Sequence, residues 1–406
     1  ALGGAVAGGE SNVSIGNYSL DALTSGDGNV AVGYNAGTAV TTSTGNTVVG
    51  YQAGAAITTG IRNVAVGYDA GKTQATTNGN TSVGYEALKV ATVGESTALG
   101  AFALTANTTG THNVAVGISA LLANDDGNQN TSIGTNSLKA NTSGSLNTVL
   151  GYNAGLSNTT GLRIIAIGPN AYDASDTEVD NMAIGYNAMT TNTAGGEKNI
   201  AIGNYAEDAL TSGDSNTALG YNAGPDLTTG SNNVFVGRDA GKTTTTGSQN
   251  IFIGIDLNGV SGGAGTQEIV IGDSFQPGAS NRFSFGKASN VVYNNFDSDN
   301  SWTRSSDERI KRNIQNDTLG LNFINDLRTV TFQWKDSRDV PQELTQSYNA
   351  ENKMNMDITM HGMIAQEVKA ALDTAGVSTF GGWHEQSDGT QSVSREMFVI
   401  PLIKAI

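Results

Sequence analysis

The sequence predicts an all-β repeat solenoid built from 17-residue coils, followed by a small α+β domain. Three observations carry this reading. A glycine recurs from Gly16 to Gly272, and of the fifteen intervals twelve are 17 residues, one is 16 and two are 18. Each of these glycines closes the same short phrase, as in Asn29-Val30-Ala31-Val32-Gly33. The composition then changes near residue 303, with 33 charged residues in the first 303 positions and 25 in the 103 that follow. A fixed period of this size is the mark of stacked structural repeats.

The phrase defines one coil. Asn stands four before the glycine in 13 of 16 units, and Val, Ile or Leu stands just before it in all sixteen. So short an apolar run fits a strand and not a helix. The repeat glycines, exemplified by Gly33, Gly50 and Gly67, suit a backbone that bends sharply or meets a neighbour closely. The small residues after them, Ala36, Ala53 and Ala70 among them, point to a tight interior. Asn29, Asn46 and Asn63 stand in register, where side-chain amides bond from coil to coil as a ladder. The unit therefore reads as strand, corner, strand and turn. Parallel coils stack about 4.8 Å apart, so sixteen span ~75 Å.

So thin a coil holds one or two branched residues and an alanine. Its remaining apolar strips stay exposed unless chains associate. A closed three-fold assembly covers them and leaves no open edge along the shaft. The expected fold is thus a trimeric β-roll or β-helix shaft over 1–272, a β-rich connector over 273–303 and a compact domain over 304–406.

Composition excludes several classes. Collagen needs glycine at every third position and abundant proline, whereas this chain has 53 Gly and 5 Pro without that spacing. The net charge of −16 opposes binding to nucleic-acid phosphates. No run of about 18 apolar residues is present, so no spanning helix and no membrane insertion are expected. Ala1-Leu2-Gly3-Gly4 lacks the features of a signal peptide. The chain has no Cys, which removes disulfides and thiolate metal sites. No cofactor and no metal are expected.

Two irregular features deserve chemical readings. Ile164 and Glu268 replace the ladder Asn, and the interval from Gly185 to Gly203 carries an insertion. Asp173, Asp176, Glu178 and Asp180 supply oxygen ligands of the type calcium takes, although a solvated acidic loop is the simpler reading. Tyr34, Tyr152, Tyr186 and Tyr221 sit just after repeat glycines. They suggest either a sugar-binding aromatic ladder or surface and intersubunit packing. The Asn-x-x-Val/Ile-Gly phrase resembles the head repeats of trimeric bacterial adhesins over roughly residues 12–272, although the unit here is longer.

The C-terminal segment carries three sharper blocks. They are Ser306-Asp307-Glu308-Arg309-Ile310-Lys311, Gly362-Met363-Ile364-Ala365-Gln366-Glu367-Val368, and Ile400-Pro401-Leu402-Ile403-Lys404-Ala405-Ile406. Their order and spacing resemble the intramolecular chaperone domain at the C-terminus of phage endosialidases, tail fibres and tail spikes. The resemblance implies a domain that assembles three chains, drives folding of the upstream β-structure and then cuts itself off. By position it implies Ser306 as nucleophile, Lys311 as base and cleavage of the Ser306–Asp307 bond. It also implies a long trimer-forming helix beyond Ile406. A serine hydroxyl is a poor nucleophile, and a lysine made neutral by burial is a suitable base for it. His361 and His384 are too scattered for a metal site, and Phe332, Trp334 and Trp383 read as core residues.

The function expected from these features is structural. The chain reads as a homotrimeric phage tail fibre for host recognition, assembled in the host cytoplasm and carried in the virion. Its partners would be other tail proteins and a glycan or protein receptor on the host surface. At most it acts as a single-turnover self-cleaving serine peptidase. The alternatives are a tail spike that degrades surface polysaccharide, which needs a carboxylate pair about 5–9 Å apart, and a bacterial trimeric surface adhesin.

Overall fold

In the computed structural model, the described residues are 8–192, 195–260, 262–296, 308–342, 344, 348, 350–351, 356–386 and 389–406. The chain divides into two compact units, Ala1–Arg304 and Ser305–Ile406.

The first unit is a β-solenoid. Fourteen three-residue strands, from β1 (Val13–Ile15) to β14 (Val234–Val236), follow one another at the repeat period. They continue into β15 (Ile251–Ile255), β16 (Glu268–Asp273) and β17 (Arg282–Lys287). Each strand pairs with the next in parallel and in register, so that Val13 faces Val30 and Val30 faces Thr47. The last parallel pair sets Gly272 against Gly286, one coil further than the glycine series shows, because that coil has only 14 residues. β18 (Asn290–Asn295) then turns back antiparallel on β17 and closes the sheet.

Each coil has a single strand, where the sequence predicted two. The arm after each glycine is a succession of turns. The cause is local. The second and fourth positions after the glycine take left-handed backbone, as at Asn35 (φ 54°) and Leu88 (φ 48°). Asn and Asp tolerate that region better than other side chains, which explains their frequency at the second position. Even so, the arm bonds upward like a strand: Leu88 N–H donates to Ala103 O at 3.0 Å.

Which side chains enter the interior follows from strand geometry. Successive side chains alternate, so a three-residue strand can turn only its middle residue inward. Ala31, Val48, Ala65 and Ala98 are accordingly buried. The branched residue next to each glycine points out: Leu150 remains 46% exposed and Ile253 41%. The interior is completed by the alanine of the next arm, such as Ala36, and by Val40, Ile57, Leu210 or Leu227 near its end. One apolar cluster runs from Leu20 to Ala70 and a second from Ala87 to Phe275. Between them the interior holds Gln74 and Thr77, both buried and without hydrogen-bond partners for their side chains.

The repeat glycine is a steric necessity, as Gly67 illustrates. Its φ is +138°, and a methyl group there would lie 2.7 Å from the carbonyl carbon of Gly84 in the next coil and closer still to its oxygen. Gly33 and Gly50 meet their successors in the same way.

The asparagines form a ladder that Ser96 carries on through its hydroxyl and Ile164 interrupts. Asn46 N–H donates to Asn29 Oδ1 at 3.0 Å, and Asn63 N–H to Asn46 Oδ1 at 2.9 Å. Each side-chain amide also donates to the turn carbonyl at the end of the following arm, from Asn46 to Gly60 O at 2.9 Å. Ile164 receives the ladder, its N–H donating to Asn147 Oδ1 at 2.9 Å, but offers no side-chain acceptor to the next rung. Glu268 N–H closes the series on Asn250 Oδ1 at 3.0 Å.

The second unit is small and mixed. α1 (Leu321–Asp326), α2 (Ala365–Thr374) and α3 (Val399–Ala405) accompany two antiparallel pairs, β19 (Val330–Phe332) with β20 (Met360–Gly362), and β21 (Trp383–Glu385) with β22 (Gln391–Val393). Leu319, Phe323, Val368, Leu372 and Phe398 form its core. Trp383 packs against that core, whereas Trp334 is 46% exposed with its ring edge on Phe332, so the expectation of a core Trp334 is corrected. Its place beyond the end of β19 leaves nothing to cover it among the described residues.

Candidate functional site

The candidate chemistry lies in the second unit. Of the three residues the sequence assigns to cleavage, Ser306 and Asp307 lie outside the described residues. Lys311 follows a short 3-10 turn, Glu308–Ile310, and its N–H donates to Glu308 O at 3.0 Å. Its side chain is exposed in the single chain, where the chemistry asks for a buried lysine.

The Gly362–Val368 block joins β20 to α2. Gly362 ends β20 opposite Val330, and Ala365 opens α2. Arg328 Nε donates to Glu367 Oε2 at 3.0 Å, while its Nη2 meets the other oxygen, a two-pronged pair that ties the start of β19 to α2. That hydrogen-bonded guanidinium holds the Glu367 carboxyl below its ordinary range. Asp336 is likewise brought to about 2, by the hydrogen bond from the Arg338 side chain. Beside the β19–β20 pair lies an open groove of about 610 Å³ lined by Thr329, Thr331, His361, Gly362, Met363 and Arg395.

Residues 306–377 match the family described as the chaperone of endosialidase. The matched stretch takes in Lys311, α1, the β19–β20 pair and nearly all of the Gly362–Val368 environment, and it ends before the Ile400–Ile406 block. No curated protein and no solved structure matches the chain. A β-solenoid of 17-residue coils ahead of a domain of this family fits a tail fibre or tail spike with a C-terminal chaperone.

Ahead of the chaperone unit, the other candidates resolve differently. Glu178 accepts the N–H groups of Asp176 at 3.0 Å and Thr177 at 3.1 Å on one oxygen, and that of Gly195 at 3.0 Å on the other. Asp180 pairs with Arg163 at 2.5 and 2.9 Å, which keeps the Asp180 carboxyl below its usual range. Two of the four acids, Glu178 and Asp180, are thus engaged with backbone and arginine. Among the described residues no group of three or more His, Cys, Asp or Glu is placed to hold a metal ion.

Of the two alternatives for the tyrosines, the rings near the start of the shaft show packing on one another at its surface. Tyr34, Tyr51, Tyr68 and Tyr85 stack face to face with centroids 4.8–5.3 Å apart and planes within 13°. Sugar recognition by aromatic rings uses an open face, and here each inner face is covered by the next ring. Tyr186, Tyr205 and Tyr221 meet edge-on instead. The inner members of the stack were legible in the sequence, since Tyr51, Tyr68 and Tyr85 occupy the same repeat position as Tyr34.

A second interior ladder escaped the sequence reading. Asn124, Asn141 and Asn158 each donate from Nδ2 to Oδ1 of the preceding Asn107, Asn124 and Asn141, at 2.7, 2.7 and 2.9 Å. Its signal was present as Asn three before the turn glycine in four successive coils.

Proposed function

We propose that this chain is a trimeric tail fibre for host attachment, whose C-terminal unit drives trimerisation and shaft folding and then cuts itself off between Ser306 and Asp307. The reading rests on one observation above all: the chaperone family match begins at Ser306, directly after the solenoid unit. Such an order answers a physical problem. A shaft of many equivalent coils can pair in many wrong registers, and a trimerising domain placed after it sets the register first.

In this reading Ser306 is the nucleophile and Lys311 its base. A serine attacking its own carbonyl closes a strained four-membered ring. Cleavage after Ser306 is therefore served better by the hydroxyl of another chain in the trimer. The exposed Lys311 is consistent with a site completed only by assembly, which would bury the amine and make cutting conditional on correct trimerisation. The partners are two further copies of the chain, other tail proteins and a receptor on the host surface, and the protein resides in the virion.

Mass spectrometry of the expressed chain tests the cleavage. Wild type should yield a fragment beginning at Asp307, and Ser306→Ala and Lys311→Ala should remain whole. Wild type that never yields that fragment removes the self-cleavage reading. Mixing Ser306→Ala chains with active chains tests the crossed attack, which fails if mixed trimers are cut at an undiminished rate.

A further inference from the structure

Glu207 is a carboxylic acid in the apolar interior of the solenoid. It occupies the fourth position after Gly203, which in other coils holds Gly37, Leu88, Leu121 or Met189. It is fully buried, and neither carboxylate oxygen has a hydrogen-bond partner. Register sets its neighbours. Met189 N–H donates to Ala206 O at 3.0 Å, and Glu207 N–H donates to Ala223 O at 3.0 Å, which places Met189 one coil before it and Gly224 one coil after. A methyl group on Gly224 would lie 3.5 Å from Glu207 Cγ and 2.7 Å from the Phe235 ring, so the glycine leaves the space that the acid and that ring occupy.

No charge among the described residues compensates this acid. Among the described residues, the preceding coil presents Met189, its own coil Leu210, and the following coil Gly224, Leu227 and Phe235. The acids around it in sequence are Glu197 and Asp208, both half-buried, and Asp214 and Asp226, both exposed, and Asp226 acts on Asp208. Glu178 accepts three backbone N–H groups and Asp69 pairs with Lys72 at 3.0 Å, whereas Glu268, also buried with unpartnered oxygens, is pushed up to about 7 by burial against the opposing charge of Arg282. Burial alone pushes the Glu207 carboxyl up to about 8.

We propose that Glu207 makes the coil between Gly203 and Gly220 a pH-sensitive seam in the shaft, packed while the carboxyl is neutral and prone to local opening when it ionises. The direction follows from proton linkage. The closed coil binds the proton more tightly than the open one, so stability is highest below the ordinary glutamate range and is lost as pH rises to about 8. Above that, closed and open states carry the same charge and the dependence levels off. The seam neighbours the irregular coil between Gly185 and Gly203. This inference is independent of the attachment reading.

Amide hydrogen exchange of the full chain between pH 5.5 and 9 tests it. After correction for intrinsic rates, protection at residues 203–227 should fall about tenfold per pH unit up to pH ~7.5 and then level off, one proton being released on opening. Residues 113–150 should show no such slope. Glu207→Leu places there a residue that other coils already accept, and Glu207→Gln keeps the shape without the charge. Both should abolish the slope, and Glu207→Leu should raise protection at pH 7. A flat wild-type profile, or a slope retained in both variants, overturns the proposal.

Discussion

Gly67 shows how much of this fold is decided at one atom. Its backbone combines a positive φ with direct approach to the next coil, and either alone disfavours a side chain. Gly67→Ala should therefore destabilise the shaft by at least ~3 kcal/mol, through strain and a backbone collision that no rotamer relieves. Urea unfolding followed by circular dichroism measures this, and a loss below 1 kcal/mol would contradict it. The glycine period was plain in the sequence, and its physical cause is the same at every coil. Glu207 was not legible in that way, because a glutamate in a polar repeat reads as a surface residue until the coil closes around it. Lys311 shows the opposite limit: its role rests on position in a family block, and the single chain leaves it exposed.

At the scale of the element, the interior asparagine ladder is cooperative. Asn124→Leu alone leaves the Asn107 carbonyl without its donor and the Asn141 amide without its acceptor, at a cost of ~1–3 kcal/mol. Replacing Asn107, Asn124, Asn141 and Asn158 together by Leu removes the unpaired side-chain groups, costs Gly110 O the bond it has from Asn107 at 2.8 Å, and reproduces the interior of coils that carry Leu210 and Leu227. The turn carbonyls Gly127 O and Gly144 O keep their bonds from Asn113 at 2.7 Å and Asn130 at 2.8 Å. The quadruple variant should thus unfold at a urea midpoint near that of wild type and above the single variant. A quadruple loss four times the single loss would show that the rungs act independently. The strand face was ambiguous in sequence for a related reason. Three residues are too few for an alternation to declare itself, and Val-Ala-Val permits either face inward. The observed choice, alanine in and valine out, follows from the alternation of a three-residue strand with only its middle residue turned inward.

For the whole molecule, the outward residues matter most. Ile15, Leu99, Ile133, Leu150, Leu219 and Ile253 recur at equivalent coil positions and are all substantially exposed. A stripe of this length matches a second copy with the same repeat, which is the association proposed above. Leu150→Asp with Ile253→Asp should leave each coil intact, since both point outward, and should lower the sedimentation mass from about three times 41.7 kDa toward that of one chain. Retention of the larger mass in that double variant would place the contact elsewhere.

By itself the sequence determined the repeat, the coil length, the parallel register, the change of unit near residue 303 and the family of the segment from Ser306. These are properties of spacing and short motifs, and spacing survives without coordinates. The tertiary structure alone decided which residue of each strand enters the core, that the second arm is a chain of left-handed turns, that the tyrosines cover one another's faces and that Glu207 has no partner. Each depends on what the coils above and below place opposite a residue, and that is set only when the chain has wound around and closed.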